Sequence, residues 1–145
     1  MKIRKNQGHV VYSPLSYLFQ MLEMGGSAMQ KYDATTSSFI PNRQATPLVL
    51  QPSLVISDPD GVVATADYVA QMNSVAWTLT INDGTGEVAL PATDNGMTLY
   101  TIDPTTHKLT LYMNLYPVEM IHVKFFGKYT DRRRGEVQEF QWERY

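Results

Sequence analysis

With no cysteine in the chain, any chemistry would have to come from three histidines, a few aspartate turns and one run of arginines. His9, His107 and His122 fall on different expected elements, and none has a second histidine at metal-ligand spacing. His122 takes the outward parity of its segment and His107 lies beside a turn, so all three are read as structural or solvated. Without cysteine there is no thiolate nucleophile, no disulfide and no Cys-ligated zinc. No Gly-x-Ser-x-Gly elbow, phosphate-binding glycine loop or His-Glu-x-x-His occurs. No catalytic residue, cofactor or metal ligand is therefore assigned, and an enzyme is not expected.

Asp58-x-Asp60-Gly61 has the look of a calcium loop, but Val62, Val63 and Ala64 follow where further oxygen ligands would be needed. It is read as a plain turn, with spatial clustering against Asp94 or Asp131 left open as a route to a cation site. Arg132-Arg133-Arg134 is the only basic run and is flanked by Asp131, Glu136, Glu139 and Glu143. It reads as a solvated hairpin tip, the alternative being a short phosphate-binding patch. Tyr112, Tyr116, Phe126, Tyr129 and Tyr145 fall largely on outward parities. Tyr112, Tyr116 and Phe126, together with the three arginines, form the candidate interaction surface. The alternative is ordinary packing beneath residues 1–45.

At 145 residues the chain is long enough for one domain with a core and an appended segment. Its net charge of -2 and pI near 5.9 create no field favouring nucleic acid or an anionic membrane, so neither is an expected partner. Met1-Lys2-Ile3-Arg4-Lys5 resembles the basic start of a signal peptide, but Asn6-Gln7-Gly8-His9 follows instead of an apolar region. Val10 to Met24 is too polar and too short to span a bilayer. A soluble protein is expected.

These residues must be positioned by strands. From Leu48 onward, apolar segments alternate with turn signals: Asp58-Pro59-Asp60-Gly61, Asn82-Asp83-Gly84, Asp94-Asn95-Gly96 and Asp103-Pro104-Thr105-Thr106. Val75, Trp77, Leu79 and Ile81 alternate with polar or small residues, as do Leu109, Leu111 and Met113, and Ile121, Val123 and Phe125. About seven strands at this short spacing predict an all-β, antiparallel, immunoglobulin-like β-sandwich over residues 46–145. Its expected core is Trp77, Leu79, Leu111, Ile121, Val123 and Phe125. Pro52 predicts an edge or kinked strand, since proline cannot donate to a ladder. Residues 1–45 are expected to be an N-terminal accessory segment, a hairpin or arm, packing on the sandwich or reaching a neighbouring subunit. Within it, Leu15 to Met24 fits a helical face and a strand equally well.

Gln30-Lys31-Tyr32-Asp33, Phe39-x-Pro41-Asn42-Arg43, Thr46-Pro47-Leu48 and Asp58-Pro59-Asp60-Gly61 carry a resemblance. The stretch from about residue 25 to 80 resembles the amino-terminal regions of structural proteins of phages and prophages of gut bacteria, where Ig-like modules follow a short leader. The Trp77 segment also resembles the central Trp strand of Ig-like domains, although the flanking cysteines are absent. The resemblance implies a tail-associated or other virion interaction module, found in the virion or in the bacterial cytoplasm before assembly. Other virion or surface proteins are the expected partners. The aromatic strand faces, the Pro52 strand and the N-terminal arm predict a homo-oligomer, or a monomer that associates with other virion proteins. A surface adhesin or carbohydrate-binding module is the competing reading, argued from the aromatic face and the Thr/Asn-rich loops. A small β-barrel enzyme or ligand carrier is a third, weakened by inward parities that are nearly all apolar.

Overall fold

The computed structural model describes residues 4–6 and 9–145, with side chains from residue 11 onward. The Met1-Lys2-Ile3 start and the His9 side chain lie outside the described residues. In chain order the strands are β1 (Arg4–Asn6), β2 (His9–Val11), β3 (Ser16–Gly25), β4 (Lys31–Asp33) and β5 (Ser38–Ile40). Then come β6 (Leu48–Ser57), β7 (Ala66–Asp67), β8 (Asn73–Asn82), β9 (Glu87–Ala89) and β10 (Thr93–Asp94). The last are β11 (Met97–Thr98), β12 (Tyr100–Ile102), β13 (Leu109–Leu111), β14 (Met120–Asp131) and β15 (Glu136–Arg144). A 3-10 turn at Val69–Gln71 is the only helical element among the described residues. Among the described residues no helix is long and apolar enough to cross a membrane.

Two antiparallel sheets make the body. One has the order β12-β13-β6-β3 with β7 also on β6, and the other runs β15-β14-β8-β9. The hairpins β1-β2, β4-β5 and β10-β11 stand apart from both. In the second sheet the register places Ile121 opposite Ile81, Val123 opposite Leu79 and Phe125 opposite Trp77. Period-2 alternation puts these pairs on one face, where they meet Leu48, Leu50, Leu54, Ile56, Leu109 and Leu111 of the first sheet. Each such aliphatic side chain, once buried, contributes roughly 1.5–3 kcal/mol. Leu79, Leu111, Ile121, Val123 and Phe125 are buried as expected, while Trp77 is half-buried and bridges the two apolar clusters. The β14 ladder slips at Gly127, where a Cβ would lie 2.5 Å from Cε of Met72, so glycine lets Met72 seal the core there.

Within residues 1–45, Ser16–Gly25 belongs to the first sheet rather than to an appended segment. β3 takes the strand alternative, with Tyr17, Phe19 and Met21 turned inward and Leu18, Leu22 and Met24 outward. It pairs with β6 along its whole length, from Ser16 opposite Ser57 to Gly25 opposite Leu48. The expected boundary at residue 45 therefore cuts through one sheet. Pairing decided between two periodicities that the sequence supports equally.

Pro52 is not on an edge either. β6 is interior, with β3 on one side and β13 and β7 on the other. However, β13 pairs only with Leu48 to Leu50 and β7 only with Val55 and Ile56. The Pro52 carbonyl accepts the Gln51 amide on this side, so the missing N–H faces the gap between β13 and β7, where no ladder bond is lost.

Candidate functional site

Among the described residues, Arg133 is the side chain held by the most hydrogen bonds. Asp131 accepts the Arg133 backbone N–H at 3.0 Å and its carbonyl accepts Gly135 N–H at 2.7 Å, with Gly135 at φ +69°. This tight tip turns Arg133 inward while Arg132 and Arg134 point out. The guanidinium donates to Asp131 through Nε at 3.1 Å and Nη2 at 3.0 Å, to Asp58 Oδ1 at 2.6 Å, to Asp60 Oδ2 at 3.3 Å and to the Ser13 carbonyl at 2.7 Å. The ring of Tyr12 lies 5.2 Å below it. All five N–H groups are used, and none of the four charged side chains is more than 5% exposed.

The Asp58–Gly61 turn is as ordered as the arginine it receives. Asp58 accepts the backbone N–H groups of Asp60, Val62 and Val63, each at 2.8 Å. Burial pushes the Asp58 carboxyl up, but these donors and Arg133 outweigh it and hold the group below the usual carboxylate range. Asp131 is likewise raised by burial and brought lower by its bonds to Arg133. The Asp131 bonds in turn raise the Arg133 guanidinium. Thus the turn, the start of the chain body and the β14–β15 tip are clamped together. The clustering with Asp131 that the sequence left open does form, but a guanidinium fills its centre. Among the described residues no group of three acidic or histidine side chains is arranged to hold a metal ion.

The solvated-tip reading therefore holds for Arg132 but fails for Arg133. Arg134 is partly exposed and pairs with Glu136 at 2.9 Å. His122 keeps its outward parity yet is buried, because Tyr145 stacks on it at 3.9 Å and Glu87 and Glu143 flank it at 3.5 and 3.0 Å. A hydrogen bond from Thr80, and behind it His122, holds the Glu87 carboxyl low. His107 sits at φ +63°, which aims its carbonyl at the Trp77 indole N–H, 2.8 Å away. Burial pushes its imidazole below the ordinary value.

The candidate aromatics do not form one surface. Tyr116 is half exposed and packs with Tyr32 and Phe39 of the β4-β5 hairpin, each at a ring separation of 5.2 Å. Phe126 lies on the outer face of the second sheet beneath Lys128. Tyr112 is half-buried, and its carbonyl accepts the Gln44 amide at 2.8 Å.

The open surface is elsewhere. β3 and β15 are each the outermost strand of their sheet, and they lie side by side: Phe140 packs on Tyr17 and Phe19, and Arg144 bonds Glu23 at 2.8 Å. Leu54 commits both backbone groups to the β7 side, through Asp67 and Tyr68, so its partner Phe19 turns its own groups to the free edge. The outward side chains of β3 include Leu18, Leu22 and Met24, and no charge stands among them. Sequence reasoning missed this surface because it left β3 between helix and strand.

It also missed Arg43, which is buried beneath an open groove at one end of the sandwich. The only signal was its position after Pro41-Asn42. Compared with known proteins, the chain matches no family model, no curated protein and no solved structure.

Proposed function

We propose that this chain is a non-catalytic assembly module, an immunoglobulin-like sandwich from the tail or another structural part of a phage or prophage particle. The observation that carries the assembly reading is the pair of neighbouring open edges, β3 and β15. Unpaired N–H and C=O rows are templates for another strand, and folded proteins usually guard them with charge. β15 carries Glu139 and Glu143 on its outward parity, whereas β3 offers Leu18 and Leu22. A second copy or another virion protein would extend the sheet at β3.

The strand order supports the immunoglobulin-like reading. Lettering β3, β6, β8, β9, β12, β13, β14 and β15 as A, B, C, C′, D, E, F and G gives sheets A-B-E-D and C′-C-F-G, with Trp77 on C. The adhesin or carbohydrate-binding alternative gains less support. Sugar rings stack on flat exposed faces, and Tyr32, Phe39 and Tyr116 lie edge-on to one another at 57–66°.

Light scattering on size-exclusion fractions tests the assembly reading. Association that rises with concentration and disappears in a Leu18→Lys, Leu22→Lys variant supports it. A strict monomer at high concentration that also turns over a hydrolase substrate overturns it. Capsid and tail genes beside its gene would support the virion assignment, and a neighbourhood of surface-protein genes would favour the adhesin.

A further inference from the structure

The groove over Arg43 has the chemistry of a binding site. It occupies about 790 Å³ at the end of the sandwich where the sheets part, within the usual size range of small-molecule pockets. Its walls are core side chains of both sheets, Leu48, Leu50 and Leu111 facing Ile121 and Val123, each less than a tenth exposed. Arg144 and Glu23 form an ion pair in its lining.

Arg43 is 3% exposed and makes no ion pair among the described residues. Its Nη1 and Nη2 donate only to the carbonyls of Met113 at 3.3 Å and Ala28 at 3.0 Å, and its buried Nε has no partner. Burial pulls its pKa down, the mark of a cation held out of water without a counter-charge. Elsewhere in this chain a buried guanidinium is treated otherwise: Arg133 has three carboxylates. A charge left buried with carbonyl partners alone is costly, and a carboxylate would offset that cost.

We infer that this groove binds a small amphipathic carboxylate of the fatty-acid class, its anionic head at Arg43 and its alkyl chain between the leucine and isoleucine walls. An alkyl chain fits these walls better than a peptide does. A peptide would bring backbone N–H and C=O groups that need partners. Gln30, which lines the groove, already spends its amide on Pro41, Asn114 and Leu115.

Calorimetric titration of the full chain with decanoate, 1-decanol and decyltrimethylammonium tests the inference, with methyl NMR shifts locating the probe. One decanoate should bind per chain, shifting the methyls of Leu48, Leu111 and Ile121. The alcohol and the cation should bind at least about tenfold more weakly, a difference of about 1.4 kcal/mol. Arg43→Gln should erase that preference and Arg43→Lys should retain part of it. Should Arg43→Gln fail to fold, the three-probe comparison on the native chain decides alone. No decanoate binding, equal binding of all three probes, or shifts confined to other methyls would each overturn the inference.

Discussion

Arg133 Nη1 lies 2.6 Å from Asp58 Oδ1, joining a hairpin tip to a turn 75 positions earlier through a buried ion pair. Charged pairs at the surface contribute little, because water screens them. Here the geometry is bidentate toward Asp131 and every donor of the guanidinium is used, so removing the cation strands three carboxylates out of water.

Arg133→Ala should lower unfolding stability by about 3–5 kcal/mol, the usual effect of breaking a buried charge network from one side. Arg132→Ala, on the exposed side of the same tip, should stay within about 0.5 kcal/mol. Urea denaturation of both variants is the measurement. Equal effects would show that burial of Arg133 contributes nothing.

Acid should weaken the same clamp. Asp58 and Asp131 titrate below the ordinary value of 3.8 in the folded chain. Groups with depressed folded values add stability that is fully present above the unfolded value and is lost as pH falls through the folded one. The urea midpoint should therefore hold between about pH 7 and 5 and fall below about pH 4. A loss centred well above pH 4 would instead point to another group, such as His107, whose imidazole burial holds below its ordinary value.

Trp77 bridges both core clusters and donates to the His107 carbonyl. Trp77→Ala should cost roughly 3–5 kcal/mol. Trp77→Phe keeps an aromatic ring but leaves the part-buried His107 carbonyl without its donor, for about 1–3 kcal/mol. An unmoved denaturation midpoint in the first variant would remove Trp77 from the core.

Gly25 sits at φ +76°, and a Cβ there would lie 2.7 Å from the Pro47 carbonyl oxygen. Gly25→Ala should destabilise by more than the roughly 1 kcal/mol that compatible glycine replacements change, since strain and backbone collision add. Thermal melting in parallel with Gly84→Ala, which has open space around it, separates collision from strain.

The outward leucines of β3 test whether its edge is idle in the fold. Leu18 and Leu22 are 53% and 42% exposed, so lysine at both should leave stability within about 0.5 kcal/mol per site. A large drop in the chemical-denaturation midpoint would mean that these side chains support the monomer itself.

Much of the sandwich is legible in the chain because its signals are local. Alternation in β8, β13 and β14 names the inward residues before any partner is known, and Gly61 and Gly135 mark turns that need positive φ. What local pattern cannot supply is which segments meet. Leu15 to Met24 satisfies two periods, and only the ladder to β6 selects the strand and opens an edge. Pro52 forbids one hydrogen bond, and only the gap between β13 and β7 places that loss harmlessly inside a sheet. Arg132, Arg133 and Arg134 are alike in sequence, and the Asp131 tip decides which one turns inward to Asp58 and Asp60. Arg43 becomes a charge under an apolar groove only when residues from both sheets and the β4-β5 hairpin converge on it. By itself the sequence determined strands such as β8, β13 and β14 and the side of each that avoids water. Edge, clamp and groove depend on contacts across tens of residues, which tertiary packing alone decided.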